Sequence, residues 1–351
     1  MQRNLPRRRM GGALAMLAML PAGLWLGAGG APVRAQGRPR HLVVIPKSSD
    51  QLFWDLVRSG VEQAARQAEQ AGMNLTLTWR GPAYSGDADA QIRILQSYTR
   101  PGVDAILLAA ADRSRLLEPV RAAVAAGIPV IVLDSALDGD NHLALVATDN
   151  LAAGKQAARE MVRRLAERRD ARKDGRADVM VLRTTPGSAS TFDRGRGFVE
   201  ELARLAPAVR LVADEFGGGS PGELRSRAAE MLRLHPAVDG IFTVNESSTD
   251  GMLRACRAMR AAESARPVFI GFDATPFLLE AVGSGEIAAL VVQDPRRMGQ
   301  VGAQLAFKVM LREWPPATPA LRAAPLMIET HLVTRQNMAD PLVRQLMCLA
   351  C

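Results

Sequence analysis

From residue 41 the chain writes one pattern twice, and a long internal repeat constrains architecture more than any local propensity. Short apolar runs alternate with longer helical stretches, the signature of a parallel sheet with helices packed on its faces. In the first half the predicted strands are His41–Pro46, Asn74–Trp79, Asp104–Ala109, Pro129–Asp134 and Leu143–Thr148. In the second half they are Asp178–Arg183, Arg210–Phe216, Asp239–Val244, Pro267–Asp273 and Ile287–Gln293. The echo reaches single residues: Val103-Asp104-Ala105 matches Val238-Asp239-Gly240, and Thr148-Asp149-Asn150 matches Gln293-Asp294-Pro295. Two copies predict two similar α/β lobes facing each other. A final strand follows over Leu326–Val333.

The first helix shows why such segments pack. Phe53, Val57, Val61, Ala64 and Ala68 recur at i, i+4 spacing, with Arg58, Glu62, Arg66 and Glu69 on the other face. One stripe is built for a sheet and the other for water.

Open parallel sheets bind ligands beyond the carboxyl ends of their strands, so the residues just after each strand are the candidates. In the first half these include Lys47, the Phe53-Trp54 pair opening the first helix, and Asp134-Ser135. In the second half they include Arg194, Asn245, Asp273 and Gln293. Carboxylates, amides and cations in such a mixture suit a polyhydroxylated ligand, because each hydroxyl both donates and accepts. Bonds to the charged partners are strengthened by the charge, and an aromatic face packs against the C–H side of a sugar. The same residue types also have plain structural uses. An Asp after a strand commonly caps the next helix, which is the expected role of Asp149 and Asp294. Asn245 has a second reading as a turn closer, Trp54 as interface packing, and Asp273 as the cap of the helix near Pro276.

Signatures of catalysis and of metal binding are missing. The four His are scattered without ligand spacing, no G-x-S-x-G elbow occurs, and no G-x-G-x-x-G follows the first strand. No cofactor is expected. The Gly217–Gly222 stretch has the composition of a phosphate loop but not its spacing, and reads as a flexible loop.

The N-terminus belongs to a different category. Arg3, Arg7, Arg8 and Arg9 precede an apolar run, and Val33-Arg34-Ala35 supplies small residues at the two positions a signal peptidase reads. Residues 1–35 are therefore expected to be a signal peptide, cleaved near Ala35, that sends the chain to the periplasm. Its five Arg account for most of the positive charge, which falls from +8 to +3 without them. The remaining Arg are interleaved with acids, as from Arg159 to Arg176, so no nucleic-acid partner is expected. Cys348 and Cys351 form a lone C-x-x-C with no second pair, which assigns them no role.

Taken in order, several motifs carry a family resemblance. They are Phe53-Trp54…Gly60, Gly127-Ile128-Pro129-Val130, Thr148-Asp149-Asn150…Gly154, Arg194-Gly195…Gly197-Phe198, Asn245-Glu246, Gly271-Phe272-Asp273-Ala274-Thr275-Pro276 and Gln293-Asp294-Pro295…Met298-Gly299. As a set, over about residues 41–334, they resemble the periplasmic ribose-binding-protein family, the type I solute-binding proteins of ABC transporters. The resemblance implies two Rossmann-like lobes, residues 36–148 with 294–327 and 149–293 with 328–351, three crossovers near 148, 293 and 327, and a ligand cleft contacted by Phe53, Trp54, Asp134, Arg194, Asn245, Asp273 and Gln293. It also implies a monomer that closes on a monosaccharide or related polyol and docks on a membrane permease. Departures are Ser135 where ribose binders carry Arg, Gln51 where the family has Asn, and the family's second-lobe aromatic, which has no clear counterpart because Phe216 is near but out of register. Ile45-Pro46-Lys47 is similar to a rhamnose- and quorum-signal-binding branch, which points Lys47 into the cleft. A sensor docking on a membrane receptor kinase is the alternative role for the same fold.

Overall fold

The computed structural model describes residues 38–169, 176–259, 266–313 and 325–347. The expected signal peptide, Cys348 and Cys351 lie outside these residues. Two six-stranded sheets form from the two halves of the pattern. The first contains β1 (Arg40–Ile45), β2 (Leu75–Trp79), β3 (Ala105–Leu108), β4 (Val130–Leu133) and β5 (Ala144–Thr148). The second contains β6 (Ala177–Arg183), β7 (Val209–Phe216), β8 (Gly240–Thr243), β9 (Val268–Phe272) and β10 (Ala289–Gln293). These ten strands lie within a residue or two of their predicted positions. β3, β4, β8, β9 and β10 are fully buried, as expected of strands covered on both faces, whereas the edge strands β2 and β7 are partly exposed.

The predicted final strand divides. β11 (Leu326–Ile328) pairs parallel with β5 in the first sheet, whereas β12 (Thr330–Val333) pairs antiparallel with β10 in the second. Glu329 is the residue between them. The geometry explains the change of sense. A strand running with the first sheet leaves through the carboxyl edge, enters the facing carboxyl edge of the second sheet, and so runs against its neighbours. The sheet orders are β11-β5-β4-β3-β1-β2 and β12-β10-β9-β8-β6-β7, the same arrangement twice.

The helices are α1 (Leu52–Gln70), α2 (Ala88–Tyr98), α3 (Leu117–Ala125), α4 (Asn150–Arg169), α5 (Ala189–Leu205), α6 (Pro221–Leu234), α7 (Glu246–Ala258), α8 (Pro276–Gly283), α9 (Pro295–Met310) and α10 (Pro341–Met347). No helix among the described residues is long and apolar enough to cross a membrane. In α1 the buried residues include Phe53, Val57, Val61 and Ala64, the stripe visible in the sequence.

Two close helix crossings repeat across the molecule. A methyl group on Gly60 of α1 would lie 2.0 Å from the Arg296 carbonyl of α9, and one on Gly299 would lie 2.0 Å from the Val57 carbonyl. In the second half, Gly154 of α4 stands in the same relation to Arg194 of α5, and Gly197 to Leu151, at 2.0 and 2.2 Å. Only glycine lets the backbones approach so closely. The helix leading out of each crossover is thereby clamped to the first helix of a lobe, which sets where the mouth of the cleft opens.

Candidate functional site

The carboxyl ends of the two sheets face one another, and all eight residues singled out from the sequence line one cavity between them. Lys47, Phe53, Trp54 and Asp134 come from the first lobe, and Arg194, Asn245, Asp273 and Gln293 from the second. Most stand just after a strand or at the start of a helix, where chain leaving the sheet must turn, while Gln293 is the last residue of β10 and Arg194 projects from the second turn of α5. A larger hollow is lined mostly by apolar residues, among them Leu232, Leu253, Cys256 and Phe269, with Arg257, Arg266 and Glu286 as its charged members.

Asp134 and Lys47 form the centre of the first half-site. Lys47 Nζ lies 2.6 Å from Asp134 Oδ2, with both side chains buried. Burial opposes ionisation of Asp134, but the cations Lys47 and Arg194 outweigh it and hold its carboxyl below the usual range. Lys47 also donates to Ser188 Oγ at 3.2 Å and Ser190 Oγ at 2.8 Å, both in the other lobe. Ser190 in turn donates to Asp134 Oδ2 at 3.1 Å.

Arg194 organises the second half-site. It is 2% exposed and projects from α5 over the Phe272 ring, 3.9 Å from the centroid. Its Nε donates to Asn150 Oδ1 at 2.8 Å, Nη1 to the Val244 carbonyl at 3.1 Å, and Nη2 to Gln293 Oε1 at 2.8 Å. Gln293 Oε1 also accepts from Thr148 Oγ1 at 2.7 Å, joining two crossover segments, while its Nε2 donates to Asp273 Oδ1 at 2.8 Å. Asp273 Oδ2 accepts from the Glu246 amide at 3.0 Å. Burial raises Asp273, with Arg194 opposing. The two aspartates thus face one cavity with their proton affinities pushed apart, Asp134 down and Asp273 up.

The structural readings also resolve. Asp149 caps α4 by accepting from Ala152 N, and Asp294 caps α9 by accepting from Arg297 N. Asp273 does not cap α8; that task falls to Thr275, which accepts from Leu278 N. Asn245 lines the cavity and caps α7 at once, its Oδ1 accepting from Ser248 N. Phe53 and Trp54 meet edge to face with centroids 4.8 Å apart. The indole Nε1 of Trp54 is buried and has no hydrogen-bond partner among the described residues. Phe216 is 38% exposed and carries Arg183 over its ring, away from the cavity. In the Gly217–Gly222 loop, the Glu223 carboxylate already occupies the amides of Gly219 and Ser220.

Sequence reasoning does not single out the remaining lining residues, Gln51, Ser85, Thr184, Thr185, Ser188, Ser190 and Thr191, although all but Ser85 lie in the stretches that follow β1 and β6. Small hydroxyl residues after strands are too common to stand out. The signal that marks them is spatial, since Ser188 and Ser190 lie beside Lys47 although separated from it by 141 and 143 positions.

The rim is drawn together. Arg113 N donates to the Gly187 carbonyl at 2.8 Å across the cleft, and a methyl group on Gly86 would lie 2.8 Å from Gly219 Cα. Glycines at the lips let the two backbones meet.

Known proteins share this arrangement. A family model described as periplasmic binding protein domain matches residues 42–313. The ribose import binding protein RbsB of Salmonella typhimurium is 27% identical over 252 residues, 71% of this chain and 79% of that protein. The periplasmic component of an ABC-type sugar transport system from Hahella chejuensis superposes with a TM-score of 0.73 at 34% identity, covering 84% of this chain and 100% of that one. A carbohydrate transporter solute binding protein from Agrobacterium radiobacter, solved with D-arabinose, gives a TM-score of 0.78 at 26% identity and covers 88% of this chain and 99% of that one.

Proposed function

We propose, from the premise that this chain belongs to the periplasmic binding protein domain family, that it captures a monosaccharide or related polyol in the cleft and delivers it to an ABC transporter permease. The observation that carries the ligand class is the cavity lining. Two aspartates, a lysine and an arginine meet there with the amides Asn245 and Gln293 and the aromatic pair Phe53-Trp54. Two carboxylates against two cations balance to a neutral site, which favours a neutral ligand rich in hydroxyls over an anion or a cation. The relatives named for ribose and solved with D-arabinose support a pentose or a close analogue as the first candidate.

In this reading Asp134, Lys47 and Arg194 bond to ligand hydroxyls, Asp273, Asn245 and Gln293 engage the opposite edge, and Trp54 and Phe53 cover the apolar face. The ligand replaces bonds that the lobes now make with each other, such as that from Lys47 to Ser190. A ligand touching both half-sites favours the closed arrangement by its differential affinity. Motion is assigned to the three crossovers, near 148, 293 and 327, between lobes of residues 36–148 with 294–327 and 149–293 with 328–351. The permease recognises the closed monomer, whose contact with the membrane is only through that protein. Mature chain begins near Gln36 after export to the periplasm.

A thermal-shift screen against a panel of pentoses, hexoses, deoxysugars and polyols tests the proposal. A true ligand at 100 times its dissociation constant stabilises the fold by about 2.7 kcal/mol. Unchanged melting with every sugar and polyol, but a shift with an amino acid or an anion, overturns it.

A further inference from the structure

The first N–H groups of a helix have no acceptor within the helix, so each N-terminus needs a cap. Most helices here supply their own: Asp87 for α2, Ser220 for α6, Asn245 for α7, Thr275 for α8 and Asp294 for α9. α3, with Leu116 at its N-cap, makes no side-chain capping bond, and neither does the first helix of each lobe. The N-cap residue of α1, Gln51, and that of α5, Ser188, make no capping bond from their side chains. Both N-termini open onto the cleft, and both are capped from the far side. Glu246, first residue of α7 in the second lobe, accepts from Leu52 N with Oε1 and from Phe53 N with Oε2, each at 3.0 Å. Ser135, in the first lobe, accepts with Oγ from Ser190 N at 3.0 Å. Each lobe thus carries the cap for the other lobe's first helix.

The pairing is not a by-product of packing within a lobe. The Glu246 carboxylate spends both oxygens across the cleft, and Ser135 Oγ donates its own proton to Ser190 Oγ, also across it. Separating the lobes strands three backbone donors at once and leaves the positive ends of two helix dipoles uncompensated. Gln51 adds a neighbouring bond, its Nε2 donating to Ser247 Oγ at 2.7 Å. We infer that Glu246 and Ser135 are positioning residues for closure, completing the binding site by capping the opposite lobe's first helix only when the cleft is shut. The inference rests on the two-lobed binding reading above, but its test does not require that the ligand be a sugar.

Amide hydrogen exchange on the mature full-length protein tests it, measured at Leu52, Phe53 and Ser190, with solution scattering alongside. Wild type, Glu246→Ala, Ser135→Ala and Glu246→Gln are compared in buffer, in D-ribose and in D-arabinose. Glu246→Ala is expected to speed exchange at Leu52 and Phe53 at least tenfold and to enlarge the radius of gyration. Ser135→Ala does the same at Ser190. Melting temperature changes little, because no bond inside a lobe is lost, and Glu246→Gln, with one remaining acceptor, restores part of the protection. If Glu246→Ala fails to fold, Ser135→Ala and Glu246→Gln carry the same readout. Unchanged exchange at all three amides in every variant and condition overturns the inference. Failure of the sugar proposal shows separately, as neither sugar moving the wild-type melting temperature.

Discussion

Asp134 and Asp273 occupy one position in two lobes: each follows the fourth strand of its sheet, and each has a left-handed backbone, with φ of 59° and 63°. Aspartate tolerates that conformation better than bulkier residues. The turn aims both carboxylates into the cleft instead of continuing the strand. Their amides are anchored alike, Asp134 N to the Val146 carbonyl and Asp273 N to the Val291 carbonyl. Equivalent placement does not bring equivalent chemistry. Asp134 is paired with Lys47 at 2.6 Å, whereas Asp273 is held by the neutral donors Gln293 Nε2 and Glu246 N.

Asp273→Asn should therefore weaken binding through the network as well as through the ligand. One oxygen can still accept from Glu246 N, but the new amide then meets the Gln293 Nε2 donor, and Gln293 Oε1 is committed to Arg194 and Thr148. A charge-assisted bond contributes about 1.5–3 kcal/mol, so the dissociation constant should rise by roughly ten- to a hundredfold. Calorimetry on the variant, with melting as a folding control, makes the check. Wild-type affinity in a normally folded protein would remove Asp273 from the site.

Trp54→Phe separates stacking from hydrogen bonding. Phenylalanine keeps an aromatic face and loses the indole N–H, which has no protein partner among the described residues. Melting without sugar should change little. Sugar affinity should drop by roughly two- to tenfold, the worth of one neutral hydrogen bond. An unaltered affinity would leave Trp54 with packing alone.

The Glu246 carboxyl gives binding a pH dependence. Burial, then the nearby charge of Asp273 and Asp50, pushes it up to about 8 against the opposing bonds from Phe53 N and Leu52 N. With the cleft open that burial is relieved and the carboxyl falls back toward its ordinary range. Closure thus takes up a proton: the closed form is favoured in full below the open-state value and loses that advantage as pH rises through about 8. Asp273 and Asp50 are shifted in the same direction by burial, while Asp134 is held low and stays ionised across this range. Affinity titrated from pH 5 to pH 8.5 should fall, by at most about tenfold per pH unit for one proton. Glu246→Gln should flatten the profile; an equally steep fall in that variant would assign the dependence elsewhere.

Export has a direct readout. Intact mass of protein from a periplasmic extract is expected to correspond to a chain starting at or near Gln36. Recovery only of chain retaining Met1 in the cytoplasm would contradict both the location and the transport role.

The sequence alone determined the layered α/β class, the order of ten strands and the eight cavity residues. Each of these follows from something local or periodic: apolar runs, i, i+4 stripes, and polar residues placed where a strand must end. Repetition then makes one half a template for the other, so the repeat alone pairs Asp134 with Asp273. Three features were decided only by the tertiary structure. Leu326–Val333 reads as one strand, yet it divides at Glu329, because strand propensity does not say which sheet supplies the partner. The hydroxyls of Ser188 and Ser190 acquire a role only beside Lys47, more than 140 residues earlier in the chain. Glu246 stands in the sequence only as half of the Asn245-Glu246 motif, yet its carboxylate serves the amides of α1. Capping by a residue of the same helix leaves a mark at fixed spacing. Capping from the opposite lobe depends on where two sheets come to face each other, a distance in space that no spacing along the chain encodes.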